Sequence, residues 1–306
     1  MESRQQLLKE LVTVRDYVRW GVSKFTENKL YFGHGTDNAW DEALHLVFHT
    51  LHLPADVDSG VLDARLTTVE KNLALVVLET RIKERIPAAY LTGFANFAGL
   101  RFKVDERVII PRSPIAELIE QEFTPWLDGT TLHSVLDMCC GSGCIGIATA
   151  AHLPHATVDL VDVSESALEV AQMNIDRHDL NQRVRTQCSD LFDALDSQQK
   201  YDLIISNPPY VDAEDLESMP AEYQHEPQLA LEAGADGLSF ARKILQQALA
   251  YLSEEGALLV EVGNSAAALE REFPELPFTW IDFRRGGHGV FFLTARHLRE
   301  HRASVA

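Results

Sequence analysis

The sequence predicts an α/β fold: a mostly parallel sheet covered by helices on both faces, with an antiparallel strand at its edge, preceded by a helical N-terminal domain. Three observations predict it. From His133 onward, apolar strand-like segments alternate with amphipathic helical ones, the βαβ series that builds a parallel sheet. Before about residue 90 the apolar residues recur at helical spacing and strand signals are weak. Between the two lies a Gly-punctuated, aromatic, alternating stretch that reads as a hairpin.

In the N-terminal domain, residues 1–90, Leu7, Leu8, Leu11, Val14, Val18 and Val22 fall near one face of a first helix. Ala43, Leu44, Val47, Phe48 and Leu51 repeat the pattern after the loop YFGHGTDNAWD. Thr67, Thr68 and Glu70 open a third helix, with Leu73, Val76 and Val77 on its apolar face. Residues 91–130 form a link. FANFAGLRFKVDERVIIP is its hairpin, and Pro111, Ser113 and Pro114 lead into a helix from Ile115 to Phe123. In residues 131–306 the strands are SVLDMCC, ATVDLVDVS, VRTQCSD, YDLIISNPPY and GALLVEVG. The helices are Cys144–Leu153, Glu165–His178 and Gly237–Tyr251. FTWIDFRRGGHGVFFLT closes the chain as two strands around a Gly-rich turn, the antiparallel edge.

Length and composition bound the function. With 306 residues, 46% of them hydrophobic, the chain has material for about two domains with full cores. No apolar run approaches the roughly 20 residues that span a bilayer. The N-terminus MESRQQLLKELVTVRDYV lacks the pattern of a signal peptide, so a cytoplasmic protein is expected. Cys139, Cys140, Cys144 and Cys188 show no zinc-type spacing and read as free thiols, with no metal site. The net charge is −19 and no Lys/Arg-rich run is present, which argues against direct gripping of nucleic acid. Such acidity either steers the chain toward a basic partner or simply keeps it soluble.

The chemistry gathers at the strand ends. The first strand ends in Asp137 and runs into Gly141-Ser142-Gly143 before a helix, a turn that lets a ligand approach the backbone. It departs from the dinucleotide pattern at Cys144, Ile145 and Gly146. The second strand ends in Asp162, placed to bind ribose hydroxyls, and the third in Ser189-Asp190, where a carboxylate can accept from an adenine amino group. Each Asp alone reads as a helix cap; three in register with a Gly turn point to an adenosine-containing ligand.

Asn207-Pro208-Pro209-Tyr210 follows an apolar strand. Two prolines cannot continue a central strand, and they fix a rigid turn. The turn presents the Asn207 side-chain oxygen and the Pro208 carbonyl at the sheet's carboxyl edge. Two rigid acceptors suit the two hydrogens of a flat NH₂ group. Holding both returns electron density to nitrogen and aims its lone pair at an electrophile. Tyr210 packs against the flat group.

VLDMCCGSG, Asp162, Ser189-Asp190 and ISNPPYV together resemble the class I S-adenosylmethionine-dependent methyltransferase fold, over residues of about 133 to 295. PAAYLTGFANFAGLRFKVDERVIIPRSPIAE, residues 87–117, and EPQLALEAGADGL, residues 226–238, are similar to blocks of the protein-glutamine methyltransferases. YFGHGTDNAWDEA resembles the branch of that family that acts on a large-subunit ribosomal protein, the third in that subunit's numbering. The sister branch acts on peptide release factors. The resemblance implies S-adenosyl-L-methionine as cofactor, bound by Asp137, Cys139, Gly141, Gly143, Asp162, Asp190, Leu191 and Asn207. It implies Asn207, Pro208, Pro209 and Tyr210 as the catalytic turn, and a basic ribosomal protein as substrate. Cys139 stands where many relatives have glycine, and Leu191 where release-factor enzymes tend to have Trp.

Three further readings stay open at this level, and one more residue has a single reading. Arg112 either reaches the turn or the cofactor carboxylate as a substrate-site residue, or forms a surface pair. His34, Asp37 and Trp40 either dock a partner or cap a helix. Glu261 either meets the site through water or is structural, and His288 reads as structural. The competing functions are release-factor glutamine methylation, methylation of a nucleic-acid amino group, which the same turn suits, and a non-catalytic assembly role.

Overall fold

The computed structural model describes residues 3–305; residues 1, 2 and 306, at the ends of the first and last expected segments, lie outside it. The chain divides into two compact units. The first runs through Phe94 and also takes in Pro220–His225; the second holds Ala95–Met219 and the chain from Glu226 onward.

The first unit contains α1 (Arg4–Glu10), α2 (Val14–Glu27), α3 (Ala39–Thr50), α4 (Thr68–Glu84) and the short α5 (Ala88–Thr92). The periodic face expected as one helix is therefore two. Thr13 and Asp16 form a capping box, each side chain accepting from the other's backbone N–H, so a new helix begins where the apolar period alone runs on. Thr67 and Glu70 cap α4 in the same way. The buried face of α4 is not the expected one. Leu73 and Val76 are exposed, whereas Ala74, Leu75, Leu78 and Arg81 are buried. Residues 73–78 are apolar all round the helix, so periodicity cannot choose a face. Arg81 chooses it, because a buried guanidinium has to meet buried acids.

Arg81 is 1% exposed. Its Nε donates to Glu42 at 2.7 Å, one Nη to Glu222 at 3.1 Å and the other to the Tyr31 carbonyl at 2.8 Å. Arg85 adds a contact to Glu222 at 3.3 Å, and the Tyr31 N–H donates to it at 3.0 Å. Burial pushes the Glu222 carboxyl up, but the Tyr31 N–H and Arg81 outweigh burial and hold it below its ordinary value. This cluster explains why Pro220–His225 belongs to the first unit, which a division at about residue 90 does not anticipate. His34 is buried against Tyr31 and Tyr223 in the same unit, and Asn38 is the residue that caps α3.

The second unit opens with β1 (Phe94–Phe97), whose first residue, Phe94, ends the N-terminal stretch of the first unit, and β2 (Leu100–Lys103), paired as a two-stranded sheet. After α6 (Ile115–Glu120) come β3 (Ser134–Met138), α7 (Cys144–His152), β4 (Thr157–Asp162), α8 (Glu165–Arg177) and β5 (Val184–Cys188). Then follow β6 (Tyr201–Ser206), α9 (Ala213–Ser218), α10 (Ser239–Gln247), β7 (Leu252–Glu261) and α11 (Ala266–Glu272). β8 (Thr279–Trp280), β9 (Val290–Thr294), α12 (Ala295–Glu300) and α13 (Arg302–Val305) complete the chain. The seven-stranded sheet has the order β5-β4-β3-β6-β7-β9-β8. Its strands are parallel through β7, and β9 runs antiparallel to both β7 and β8.

Alternation along the strands builds two apolar layers. Val135, Leu203 and Leu259 face a core shared with α6, α7 and α8. Leu136, Ile204 and Leu258 face one shared with α10, α11 and α12. The chain winds outward from β3 through β4 to β5, then returns to the other side of β3 with β6. That reversal opens a crevice at the carboxyl ends of β3 and β6, where ligands bind in open α/β sheets. A buried Asn174 on α8 braces it. Its carbonyl accepts from the Lys103 N–H at 2.6 Å, and its NH₂ donates to the carbonyls of Lys103 at 3.0 Å and Ser142 at 2.9 Å. The β1–β2 hairpin is thereby tied to the Gly turn.

Candidate active site

β3 delivers Asp137 into full burial. One of its oxygens accepts from the Gly146 N–H at 2.7 Å; the other has no hydrogen-bond partner among the described residues. Burial pushes this carboxyl up to about 7; the Asp162 charge adds to that and the Gly146 N–H opposes it. A Cβ at Gly146 would stand 2.3 Å from Leu160 and 2.9 Å from the Asp137 Cβ, so only glycine lets α7 begin this close to the sheet. Sequence reading noted Gly146 only as a departure from the dinucleotide pattern; its role is this close approach.

The turn after β3 is left-handed at Cys139 (φ 59°) and Gly141 (φ 53°). Such a conformation costs a non-glycine residue about 1–2 kcal/mol, so Cys139 carries strain that a glycine here would avoid. Asp162, at the end of β4, reaches back to this turn. It accepts from the Gly141 N–H and from the Ser164 N–H, both at 2.9 Å. Burial pushes its carboxyl up against those donors. Ser164, rather than Asp162, supplies the side-chain cap of α8.

β6 ends at Ser206, whose hydroxyl donates to the Met138 carbonyl at 2.8 Å and so locks the two strand ends together. The next residue, Asn207, holds its side-chain oxygen buried with no partner among the described residues. Pro208 and Pro209 are buried, and the Tyr210 hydroxyl donates to Glu261 at 2.9 Å. Beyond the turn, Val211 exchanges backbone hydrogen bonds with Leu231 (3.0 Å) and Ala233 (2.9 Å). This pairing folds the 226–238 block back beside the turn.

These pieces border one cleft, lined mainly by apolar side chains with a few convergent polar groups. Of the residues singled out in the sequence, Cys139, Gly141, Asp162, Ser189, Asp190, Leu191, Asn207 and Pro209 line it. Asp137, Gly143, Pro208, Tyr210 and Arg112 do not. Gly143 sits behind the turn, packed toward Leu160, Ile147 and Ala171. Arg112 makes a bidentate pair with the buried Glu226 at 2.5 and 2.7 Å and donates to the Ile110 carbonyl at 3.0 Å. Glu226 also accepts from the Ile110 N–H at 2.9 Å, so the pair clasps the link to the 226–238 block.

Sequence reasoning missed part of the wall: Arg107, Val108 and Ile109 from the link, Pro227, Leu229 and Ala230 from the later block, and Phe240. The two family blocks contain all of these but Phe240, which follows the second block. Asn174 carried a weak signal of its own, a polar residue among Val170, Ala171 and Ile175 on the apolar face of its helix.

The model of the methyltransferase small domain family matches residues 121–223. Over 294 residues, 96% of the chain, the sequence is 51% identical to the ribosomal protein uL3 glutamine methyltransferase of Francisella tularensis subsp. tularensis, covering 93% of that protein. It is also 51% identical over 294 residues to the proteins of that name from Neisseria meningitidis serogroup A and Neisseria gonorrhoeae, covering 96% and 98% of them. The alignments thus span nearly the full length of both chains, taking in the helical first unit and the cleft-bearing second unit. The chain belongs to the family of ribosomal protein uL3 glutamine methyltransferases.

Proposed function

We propose that the protein transfers a methyl group from S-adenosyl-L-methionine to the side-chain amide nitrogen of a glutamine in ribosomal protein uL3. The observation that carries the reading is the bare, buried oxygen of Asn207, set in a proline-fixed turn on the wall of the cleft. A buried acceptor without a donor costs stability, so its retention asks for a ligand with N–H groups.

The cleft fits the cofactor. Asp162 spends one lone pair per oxygen on backbone N–H groups and keeps others for ribose hydroxyls, and Asp190 lies beside it for the adenine edge. The cofactor supplies an electrophilic methyl group on a positively charged sulfur. The protein's part is to make an amide nitrogen nucleophilic. Asn207 Oδ1 and the backbone carbonyl of Pro208 would accept the two amide hydrogens, which localises the nitrogen lone pair and fixes its direction. As the N–C bond forms and the methyl–sulfur bond breaks, one amide proton is given up to solvent. The apolar wall of Val108, Ile109, Leu191 and Phe240 keeps competing water away.

The uL3 in the relatives' names supports the substrate, and the net charge of −19 suits a basic ribosomal protein. With such a partner the enzyme works in the cytoplasm and needs no direct grip on nucleic acid. The cleft and turn lie wholly within the second unit, so the first unit, residues of about 1–90, is assigned the choice of protein. Purified uL3 and a release factor are each incubated with enzyme and labelled cofactor, and the labelled residue is identified by mass spectrometry. One methylated glutamine in uL3 is expected. Equal transfer to both proteins, or none to uL3, overturns the substrate assignment.

A further inference from the structure

Tyr210 is held from three sides. Its hydroxyl donates to Glu261 Oε1 at 2.9 Å. Its carbonyl accepts from the Ser265 hydroxyl at 3.2 Å. Its ring lies over bare backbone at Gly263, where a Cβ would stand 2.6 Å from the ring edge. Glu261 is 5% exposed and ends β7, one position beyond the Ser206–Val260 pair, just as Asn207 is one position beyond it on β6. Its second oxygen accepts from the Ser113 hydroxyl at 2.5 Å. The contact to the catalytic turn is thus direct, through Tyr210.

A buried carboxylate is expensive: burial pushes the Glu261 carboxyl up, and the two hydroxyl donors oppose that. The Arg112 and His288 charges oppose it further, without either making one of these hydrogen bonds. A glutamine of equal volume would fill the same space. What a glutamine cannot do is accept hydroxyl hydrogens at both ends, because its amide nitrogen has no lone pair to offer. The carboxylate therefore fixes the direction of the Tyr210 O–H bond, and with it the ring that follows the two acceptors of the turn.

We propose that Glu261 is a positioning residue for methyl transfer: held by Ser113, it fixes the Tyr210 ring in the orientation that frames a flat amide beside Asn207. The proposal rests on the reading of 207–210 as the amide-binding turn. The test is steady-state transfer to purified uL3 by the full chain carrying Glu261→Gln, Tyr210→Phe or both, with calorimetric cofactor affinity and the Tyr210 Cζ resonance of protein labelled with ¹³C-tyrosine.

Each single variant is expected to lower kcat on the order of 10-fold, because modest misplacement at a reacting centre is amplified in rate. KM and cofactor affinity should stay within about twofold, since no binding contact is removed. The double variant should be no slower than the slower single, because both act through one hydroxyl. The Tyr210 resonance should shift in Glu261→Gln. Wild-type kcat in Glu261→Gln, multiplicative losses in the double variant, or a loss carried by cofactor affinity overturns the proposal. An unmoved Tyr210 resonance overturns it too, whatever the substrate. A wild-type enzyme inactive on uL3 whose Tyr210 resonance still responds to Glu261→Gln overturns the substrate reading and supports the hydroxyl contact.

Discussion

Two buried polar clusters in this molecule are built on opposite principles. Around Arg81, three guanidinium nitrogens each donate to an acceptor, and the carboxylates of Glu42 and Glu222 are matched by cations. At the cleft, the side-chain oxygen of Asn207 stays bare among the described residues. The first arrangement is complete in itself and serves architecture. The second is complete only when something brings donors, and this is the mark of a site. Burial and polarity are common to both, and bare atoms also occur away from the cleft, at the Tyr17 hydroxyl and Trp20 Nε1; what sets Asn207 apart is that its bare oxygen belongs to a residue on the wall of the cleft.

Arg81→Ala attacks the complete cluster and should have the largest effect. It leaves two buried carboxylates with lost partners, at a cost of about 3–5 kcal/mol in stability. Urea denaturation followed by circular dichroism checks it; a midpoint close to wild type would mean the cluster is relaxed or hydrated in solution. Asn207→Ala attacks the incomplete one, and its effect should be confined to rate. Turnover should fall about 10²–10³-fold, as for loss of a preorganised polar group, while the unfolding midpoint stays put because the oxygen has no partner to lose. A variant that loses stability instead of rate would reverse the contrast.

Asp162→Ala lies between the two, for this carboxylate already has backbone donors and still faces the cleft. Cofactor affinity measured by calorimetry should weaken by about 1.5–3 kcal/mol, the worth of hydrogen bonds to a charged acceptor. Unchanged affinity would make Asp162 a brace for the Gly turn alone. Cys139→Gly is the mildest test. It relieves a left-handed conformation at φ 59° and should raise stability by about 1 kcal/mol or less, net of the added chain entropy of glycine, with cofactor affinity nearly unchanged. Destabilisation would show that the thiol packs well enough to outweigh the strain.

The parts of this molecule that were legible in sequence are those whose cause is local. The alternation of β3 to β7 with helices, the Gly turn and the proline-fixed turn each declare themselves within ten residues, because backbone conformation is a short-range matter. The capping box at Thr13 and Asp16 was equally local and was overridden by a continuous apolar period. What could not be read is pairing over distance. Arg112 meets Glu226 across 114 positions and Arg81 meets Glu222 across 141, and each pair decides how a segment is held. The buried face of α4 follows from the second of these pairs. The bareness of Asn207 was also invisible, since a missing partner leaves no trace in a sequence.

The membership of Pro220–His225 in the first unit has a consequence for how the protein is made. Chains emerge from the ribosome N-terminus first, and domains ordinarily fold as they emerge. Here the residues through Phe94 are finished long before Glu222 is synthesised, and until then Arg81 has only part of its acid complement. The first unit therefore cannot reach its final state during its own synthesis. It waits for the β3–β6 half of the second unit to be synthesised, and only then can take in the short segment that follows the proline-fixed turn. A gene fragment ending near residue 90 would encode a permanently unfinished unit, whereas one ending after His225 would supply the missing acid.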